Sequence, residues 1–157
     1  MRRTSRPMPR RACLVLMAVL IAVGTGYVPP ADFRVIGQME EVEALLQHPP
    51  PDTVWIDLRD NRPYQGSHLV NALNVPFDDG GAWLLAYLRE HHLQHKRIVL
   101  VCARGVRSGK AAELLMRAGL RRVWRVGFGY DAYAATHGVR YLQGRDVCDC
   151  GKDPVAR

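Results

Sequence analysis

The amino-acid sequence predicts an α/β fold with a central parallel sheet flanked by helices on both faces. Its short runs of branched apolar residues, such as residues 98–101, are typical of strands that are covered on both sides. Segments with apolar residues at helical spacing separate these runs, as βαβ units require. The length of 157 residues, of which 48% are hydrophobic and 24% charged, fits one globular domain and excludes disordered and low-complexity classes.

The local pattern places each element in order. Apolar runs predict four strands: residues 33–36, 53–57, 98–101 and 123–126. A short extended segment that ends at a proline is also expected in residues 69–76. Apolar residues three or four positions apart predict helices in three segments: residues 38–48, 80–93 and 108–118. Three consecutive prolines, residues 49–51, end the first of these helices.

Residues 1–24 have the character of a secretory signal peptide. Five arginines and no acid precede an apolar run of twelve residues, 12–23, which Gly24 follows. As a helix this run would span about 18 Å, less than the roughly 30 Å of a hydrocarbon core. We therefore predict export to a periplasm or beyond, with cleavage near Gly24. The alternative is that the segment is retained and anchors the protein to the membrane.

The rest of the chain divides into three parts. Residues 25–32 contain two prolines and are assigned as a linker, residues 33–143 as the folded domain, and residues 144–157 as a C-terminal tail. The tail contains Cys148 and Cys150, for which a strained disulfide, transfer of electrons or sulfur to Cys102, and a soft-metal site are alternatives. The sequence favours a fourth alternative, two incidental thiols in an unstructured tail.

The positive charge is local. The net charge of the whole chain is +7, but residues 25–95 carry ten acids and four bases, whereas residues 96–125 carry nine bases and one acid. Nucleic-acid binding usually needs a broader basic face. The pattern therefore predicts a small anionic substrate, and no nucleic-acid partner.

The candidate site is the loop after the most buried predicted strand. Cys102 follows this strand directly, and a helix begins soon after, so backbone N–H groups and the positive end of a helix surround the thiol. Arg104 and Arg107 add positive charge, and Gly105 permits the positive φ that a tight loop often needs. These features favour the thiolate, so we expect Cys102 to be a nucleophile, and not an inert buried cysteine.

Residues 102–108, CARGVRS, resemble the active loop of rhodanese-type sulfurtransferases, which runs C-x-x-G-x-R followed by Ser or Thr. Residues 57–59 resemble the D-x-R motif of that family, and residues 64–76 its aromatic-x-x-G-H-I-P-G-A-x-N-I-P segment. Residues 126–133 resemble the segment that usually contains a Gly pair. Together the motifs cover about residues 34–142 in the order of the family, and the exported form is similar to its small periplasmic single-domain members.

Three glycine positions of the family pattern hold another residue in this chain, and none of them is the predicted nucleophile or the loop arginine. Asn71 replaces a Gly, and the tolerance of Asn for the left-handed conformation should preserve the turn. Ser67 replaces the Gly before His68, and Phe128 replaces the first Gly of the pair, where it is expected to reshape the mouth of the pocket. His68 itself is expected to be a hydrogen-bonded packing residue, because an ionised thiolate needs no general base.

The resemblance implies a rhodanese-like fold and thiosulfate sulfurtransferase activity. In this reaction the Cys102 thiolate takes the outer sulfur of thiosulfate, sulfite leaves, and a persulfide remains until cyanide or a thiol accepts the sulfur. The residues expected to bind the donor follow Cys102 in the loop: Arg104, Gly105, Val106, Arg107 and Ser108. Asp57 and Arg59 are expected to support the site as an internal ion pair. No metal and no organic cofactor is expected.

The length of the loop separates sulfur transfer from phosphate chemistry. Related dual-specificity phosphatases and arsenate reductases use C-x-x-x-x-x-R, whereas Arg107 is only five positions after Cys102. The expected partners are a small anionic sulfur donor and a thiol or cyanide acceptor, with a membrane only if the N-terminal segment is retained. A non-catalytic rhodanese-like binding module and a persulfide carrier that serves a partner protein remain as alternatives. The intact set of Cys102, Gly105 and Arg107 favours catalysis.

Overall fold

A computed structural model of the protein describes residues 32–78 and 80–137, together with the backbone of residues 142–143. The predicted signal peptide, nearly all of the predicted linker, and the tail with Cys148 and Cys150 lie outside the described residues. Among the helices that are described, none combines the length and the apolar character that crossing a membrane requires.

Strands and helices alternate along the described residues. The elements are β1 (Asp32–Ile36), α1 (Met39–Gln47), β2 (Thr53–Asp57), α2 (Asn61–Gly66), β3 (His68–Leu69), β4 (Ala72–Asn74), α3 (Ala82–Glu90), β5 (Arg97–Val101), α4 (Val106–Arg117), β6 (Arg122–Val126), α5 (Tyr130–His137) and β7 (Leu142–Gln143).

Five of the strands form one parallel sheet in the order β1-β6-β5-β2-β4, and β3 pairs with β7 in a separate antiparallel ladder. β5 is the central strand, with β2 on one side and β6 on the other. This position explains its continuous apolar sequence, because a parallel strand with helices on both faces has no polar side. The predicted parallel sheet is confirmed.

The core is divided between the two faces of the sheet. Ile98 and Leu100 of β5 pack in one cluster with residues of α3 and α4, whereas Val99 and Val101 pack in the other with residues of α1 and α5. This alternation is the two-residue period of a strand that is buried on both faces. The helices therefore cover both faces of the sheet, as the sequence predicts.

The structure differs from the expected elements at several places. The expected extended segment of residues 69–76 is divided into β3 and β4 by the left-handed turn at Asn71, and β7 has no predicted counterpart. α4 begins at Val106, two residues before the expected start, because Gly105 turns the chain with a φ of 80° and the helix follows at once. α2 and α5 lack a predicted counterpart, since each is short and buries only one or two side chains. Asn71 has a φ of 60°, so the expectation that it preserves a left-handed turn is confirmed.

Candidate active site

Cys102 lies at the carboxyl end of the central strand β5, which is where open α/β sheets collect their ligands. The residue is only 1% exposed and packs among the apolar side chains of the core. The backbone N–H of Ser108, in the first turn of α4, donates to Cys102 Sγ at an N···S distance of 3.3 Å. The sulfur therefore faces the positive end of a helix.

Gly105 allows the loop to close over this contact. A Cβ atom at this position would lie 1.9 Å from the carbonyl oxygen of Gly127, so no other residue fits without a backbone shift. The hydroxyl of the buried Ser108 lies 3.0 Å from the Gly105 carbonyl oxygen and 3.3 Å from that of Val126. The loop is thus tied to the end of β6 as well as to α4.

The start of α5 holds the other side of the loop. The backbone N–H of Tyr130 donates to the Cys102 carbonyl oxygen at 2.8 Å, and that of Asp131 donates to the Ala103 carbonyl oxygen at 3.1 Å. Gly129 has a φ of 85°, and a Cβ there would lie 2.3 Å from the Ala103 carbonyl oxygen. This close approach requires glycine, as at Gly105.

Asp57 and Arg59 form the expected internal ion pair. Both are buried, and the Arg59 guanidinium makes a bidentate contact with the carboxylate, with Nε 3.0 Å from each carboxylate oxygen and Nη2 2.7 Å from Oδ2. Nη2 also donates to the Ser67 carbonyl oxygen at 2.8 Å. A buried pair with these additional hydrogen bonds fixes the chain after β2.

Tyr130 connects this ion pair to the loop. Its ring lies under the Arg59 guanidinium, with 3.6 Å between the guanidinium carbon and the ring centroid, and its hydroxyl donates to Ser67 Oγ at 2.6 Å. The backbone of the same residue binds the Cys102 carbonyl. Ser67, Arg59 and Tyr130 therefore form a brace behind Cys102, and the Ser67 hydroxyl that takes part in it is a departure from the family pattern.

The two loop arginines lie toward solvent. Arg104 is exposed, and Arg107 is about one-third exposed with Nη1 3.4 Å from Asp60 Oδ2. Among the described residues, neither guanidinium hydrogen-bonds Cys102 Sγ. Val106 is 63% exposed beside them. The predicted donor-binding residues thus divide into Gly105 and Ser108, which shape the loop, and three residues at its outer rim.

Family comparison agrees with this geometry. The sequence model of the family described as "Rhodanese-like domain" matches residues 38–136, which is more than half of the chain. The chain belongs to this family. The matched range lies inside the predicted domain of residues 33–143 and contains every residue assigned above to the loop, the ion pair and the brace.

Two curated relatives that this rhodanese-like chain matches are named as hydroxylases and not as sulfurtransferases. It is 36% identical over 97 residues to the tRNA uridine(34) hydroxylase of Salmonella arizonae, and 34% identical over 97 residues to that of an Enterobacter species. Each match covers 60% of this chain and 27% of the relative. The chain therefore spans about a quarter of the length of these proteins.

Solved rhodanese-like structures have the same fold. The rhodanese-like domain of the Anabaena Alr3790 protein aligns with a TM-score of 0.57 at 21% identity, covering 80% of this chain and 89% of that one. The Saccharomyces cerevisiae single-domain sulfurtransferase RDL2 aligns with a TM-score of 0.58 at 17% identity, covering 74% of this chain and 98% of that one.

His68 of the rhodanese-like domain is a packing residue, as predicted, but only one ring nitrogen has a partner in the described part of the chain. Nδ1 lies 2.9 Å from the Tyr64 carbonyl oxygen, and the ring stacks on Tyr64 with 3.9 Å between centroids. Nε2 is buried without a hydrogen-bond partner among the described residues.

Burial, together with the nearby Asp57 carboxylate, raises the pKa of Tyr64 to about 12, so its hydroxyl stays protonated and donates to the Ala72 carbonyl oxygen.

Several residues at the site had no predicted role: Asp60, Ser67, Arg125, Gly127, Gly129 and Tyr130. The sequence indicates residues 126–133 only as a motif, although the motif contains three of these residues. Arg125 Nη1 lies 3.3 Å from the Gly105 carbonyl oxygen, which the loop sequence alone does not reveal. Within the described residues, no three His, Cys, Asp or Glu side chains are grouped in a way that could hold a metal ion.

Proposed function

We propose that the protein is a thiosulfate sulfurtransferase that carries a sulfane sulfur as a persulfide on Cys102. The observation that carries the proposal is the Cys102 sulfur at the carboxyl end of β5, held 3.3 Å from the Ser108 N–H in a loop with the C-x-x-G-x-R-S pattern. This loop supplies the electrostatic environment that a nucleophilic sulfur and an anionic persulfide both require.

The reaction balances without an external oxidant. The Cys102 thiolate attacks the outer sulfur of thiosulfate, the sulfur–sulfur bond of thiosulfate breaks, and sulfite leaves with the bonding electron pair. A new sulfur–sulfur bond joins the transferred atom to Sγ, and the negative charge resides on the outer sulfur of the persulfide. Cyanide then removes that sulfur as thiocyanate, or a thiolate acceptor removes it as a new persulfide, and the Cys102 thiolate is restored.

The described residues have distinct tasks in this scheme. The Ser108 N–H and the start of α4 stabilise the negative sulfur, and Tyr130 keeps the Cys102 backbone in place. Arg107 at the rim binds the sulfonate end of the donor through charge-assisted hydrogen bonds. Arg104 is exposed three residues before Arg107 and contributes charge at longer range.

The test is thiocyanate release from thiosulfate and cyanide, together with the mass of the protein after thiosulfate alone. We expect steady turnover and a gain of one sulfur atom in the wild type, and neither in Cys102→Ser. A Cys148→Ser/Cys150→Ser variant is the matched control, which should retain both. Equal rates in wild type and Cys102→Ser would overturn the proposal, and an unmodified mass would identify a non-catalytic binding module.

A persulfide carrier is distinguished by its acceptor. A carrier gains the sulfur atom from thiosulfate but transfers it slowly to cyanide and small thiols, because it needs a partner protein. We propose small acceptors, since Cys102 is only 1% exposed and a small molecule reaches a buried sulfur more easily than a protein does. Single-turnover decay of the purified persulfide with and without cyanide measures this step directly.

Action on tRNA is a second candidate function, which the names of the curated relatives favour. The two hydroxylases described above share 36% and 34% identity with the chain over 97 residues, and residues 96–125 of the chain carry nine bases. Titration of labelled tRNA with the protein, followed by nucleoside analysis at uridine 34, tests this candidate. Submicromolar binding at physiological salt with conversion of the uridine would support it, whereas weak binding that salt abolishes would leave sulfur transfer as the function.

We also propose that the protein is exported. The proposal rests on the arginine-rich residues 1–11 and the apolar residues 12–23. N-terminal sequencing of the protein from a periplasmic fraction should find a new terminus near residue 25. An intact Met1 in the membrane fraction would instead identify the anchored form, and recovery only from the cytosol would refute export.

A further inference from the structure

Asp60 is a carboxylate at the rim of the site to which no role has been assigned. Its Oδ2 lies 3.4 Å from Arg107 Nη1, and its side chain is 76% exposed. The residue directly follows Arg59, whose guanidinium is fixed by the buried ion pair with Asp57. The backbone of Asp60 is therefore attached to a rigid support. Its ion pair with Arg107 is open to solvent, so another anion can replace the Asp60 carboxylate at the guanidinium.

The orientation of the carboxylate is informative because Asp60 occupies the N-cap position of α2. Its backbone is extended, with φ −61° and ψ 156°, and Asp at such a position commonly accepts a hydrogen bond from its own helix. The Asp60 side chain makes no such hydrogen bond. It contacts the guanidinium of Arg107 across 47 residues of sequence.

We propose that Asp60 is a specificity-determining residue that selects the sulfur donor by charge. The inference rests on the proposed sulfur transfer. An anionic donor that binds Arg107 must displace the Asp60 carboxylate and then remain close to it. A dianion such as thiosulfate is repelled more strongly than a monoanion, so Asp60 favours donors with less negative charge at the end opposite the sulfane sulfur.

Two small sulfur donors that form the same persulfide differ in their negative charge, so they test the effect of charge alone. Thiosulfate is a dianion that releases sulfite, and methanethiosulfonate is a monoanion that releases methanesulfinate. In both, the Cys102 thiolate attacks the terminal sulfur, the sulfur–sulfur bond of the donor breaks, and the leaving group departs with the electron pair. The two reactions therefore form the same Cys102 persulfide and differ in the charge at the end expected to meet Arg107.

The deciding variant is Asp60→Asn in the whole 157-residue chain. Asn is as good an N-cap residue as Asp, so α2 is retained while the charge is removed. We expect kcat/KM for thiosulfate to rise about two- to fivefold, the range expected for an exposed ion pair, through a lower KM with kcat unchanged. The rise for methanethiosulfonate should be clearly smaller, and 0.5 M salt should reduce the difference between the two donors.

Glu113→Gln is the matched control. Glu113 is exposed on α4, the helix that carries Arg107, and its own ion pair is with Arg117 at 3.5 Å. This control removes one negative charge and one exposed ion pair, and it should leave the preference between the two donors unchanged. An equal response of both donors to Asp60→Asn, or an equal effect of Glu113→Gln, would overturn the inference.

A binding experiment separates this inference from the proposed function. In the Cys102→Ser background no sulfur is transferred, and calorimetry measures the dissociation constant of thiosulfate itself. We expect the additional Asp60→Asn substitution to lower that constant about two- to fivefold. If the wild type transfers sulfur from neither donor, the proposed function fails, and the calorimetric comparison alone decides the inference, with an unchanged constant refuting it.

Discussion

The substitution Gly105→Ala tests the active loop most directly. The φ of 80° at this residue costs about 1–2 kcal/mol for any residue with a Cβ atom. The new Cβ would also lie 1.9 Å from the Gly127 carbonyl oxygen, so the loop must retreat by roughly 1.5 Å to reach an ordinary contact. Such a retreat moves the Ser108 N–H away from Cys102 Sγ, and a misplacement of this size can lower a rate about a hundredfold.

Gly119→Ala is the control for the backbone strain alone. Gly119 has a φ of 89° at the end of α4, but a Cβ there would meet nothing within 4 Å. We expect this control to lose about 1–2 kcal/mol of stability, a decrease of roughly 2–8 °C in Tm, with kcat/KM unchanged. Gly105→Ala should lose about 2–5 kcal/mol, because strain and displacement add.

The assay combines thermal unfolding with thiocyanate release, measured at a temperature where both variants are fully folded. Loss of activity in Gly105→Ala, beside normal activity in Gly119→Ala, would show that the loop geometry supports the reaction. The reasoning is refuted if Gly105→Ala unfolds at the same temperature as Gly119→Ala and keeps kcat/KM within threefold of the wild type.

Three further predictions follow from the site. Arg107→Lys should lower kcat/KM for thiosulfate about ten- to a hundredfold, because Lys keeps the charge but loses the planar two-pronged donor. Arg104→Ala should lower it less, and the reverse order in steady-state kinetics would contradict the assignment of Arg107 as the residue that binds the donor. Arg59→Met should destabilise the protein by about 3–5 kcal/mol in urea unfolding, since it leaves the buried Asp57 carboxylate without its partner, and the double variant Asp57→Asn/Arg59→Met should recover part of that loss. Hydrolysis of an aryl phosphate should be negligible, because the loop is one residue shorter than C-x-x-x-x-x-R, and Cys102-dependent turnover in that assay would be inconsistent with the loop argument.

The strands and the position of Cys102 follow from local sequence. Residues 98–101 are continuously apolar because β5 is buried on both faces, and a strand of this kind can be recognised without knowledge of its neighbours. Cys102 follows it directly, so its place at the carboxyl edge of the sheet follows from the same pattern. Gly105 and the early start of α4 are linked, since the left-handed glycine is what allows the helix to begin at Val106.

The brace behind Cys102 does not follow from local sequence. Tyr130 contacts Arg59, Ser67 and the Cys102 backbone, and these residues are distant in the chain. α5, which begins at Tyr130, is short and carries little periodic signal, so its helical conformation depends on tertiary packing. Ser67 could be noted only as a departure from the family pattern, whereas its hydroxyl proves to be the partner of the Tyr130 hydroxyl.

The structure also shows that much of the positive charge of residues 96–125 is paired with acidic side chains. Nine bases in this segment predict a cationic site, yet several of them pair with acids from the N-terminal part of the chain or from α4 itself: Lys96 with Asp52, Arg97 with Asp32, Arg107 with Asp60 and Arg117 with Glu113. Exposed pairs of this kind cancel much of the long-range potential. The positive environment of Cys102 Sγ therefore comes from the Ser108 N–H and the start of α4, and it depends on backbone geometry more than on the number of arginines. For this reason a change at Gly105, which alters no charge, is expected to impair the reaction at least as severely as the removal of an arginine.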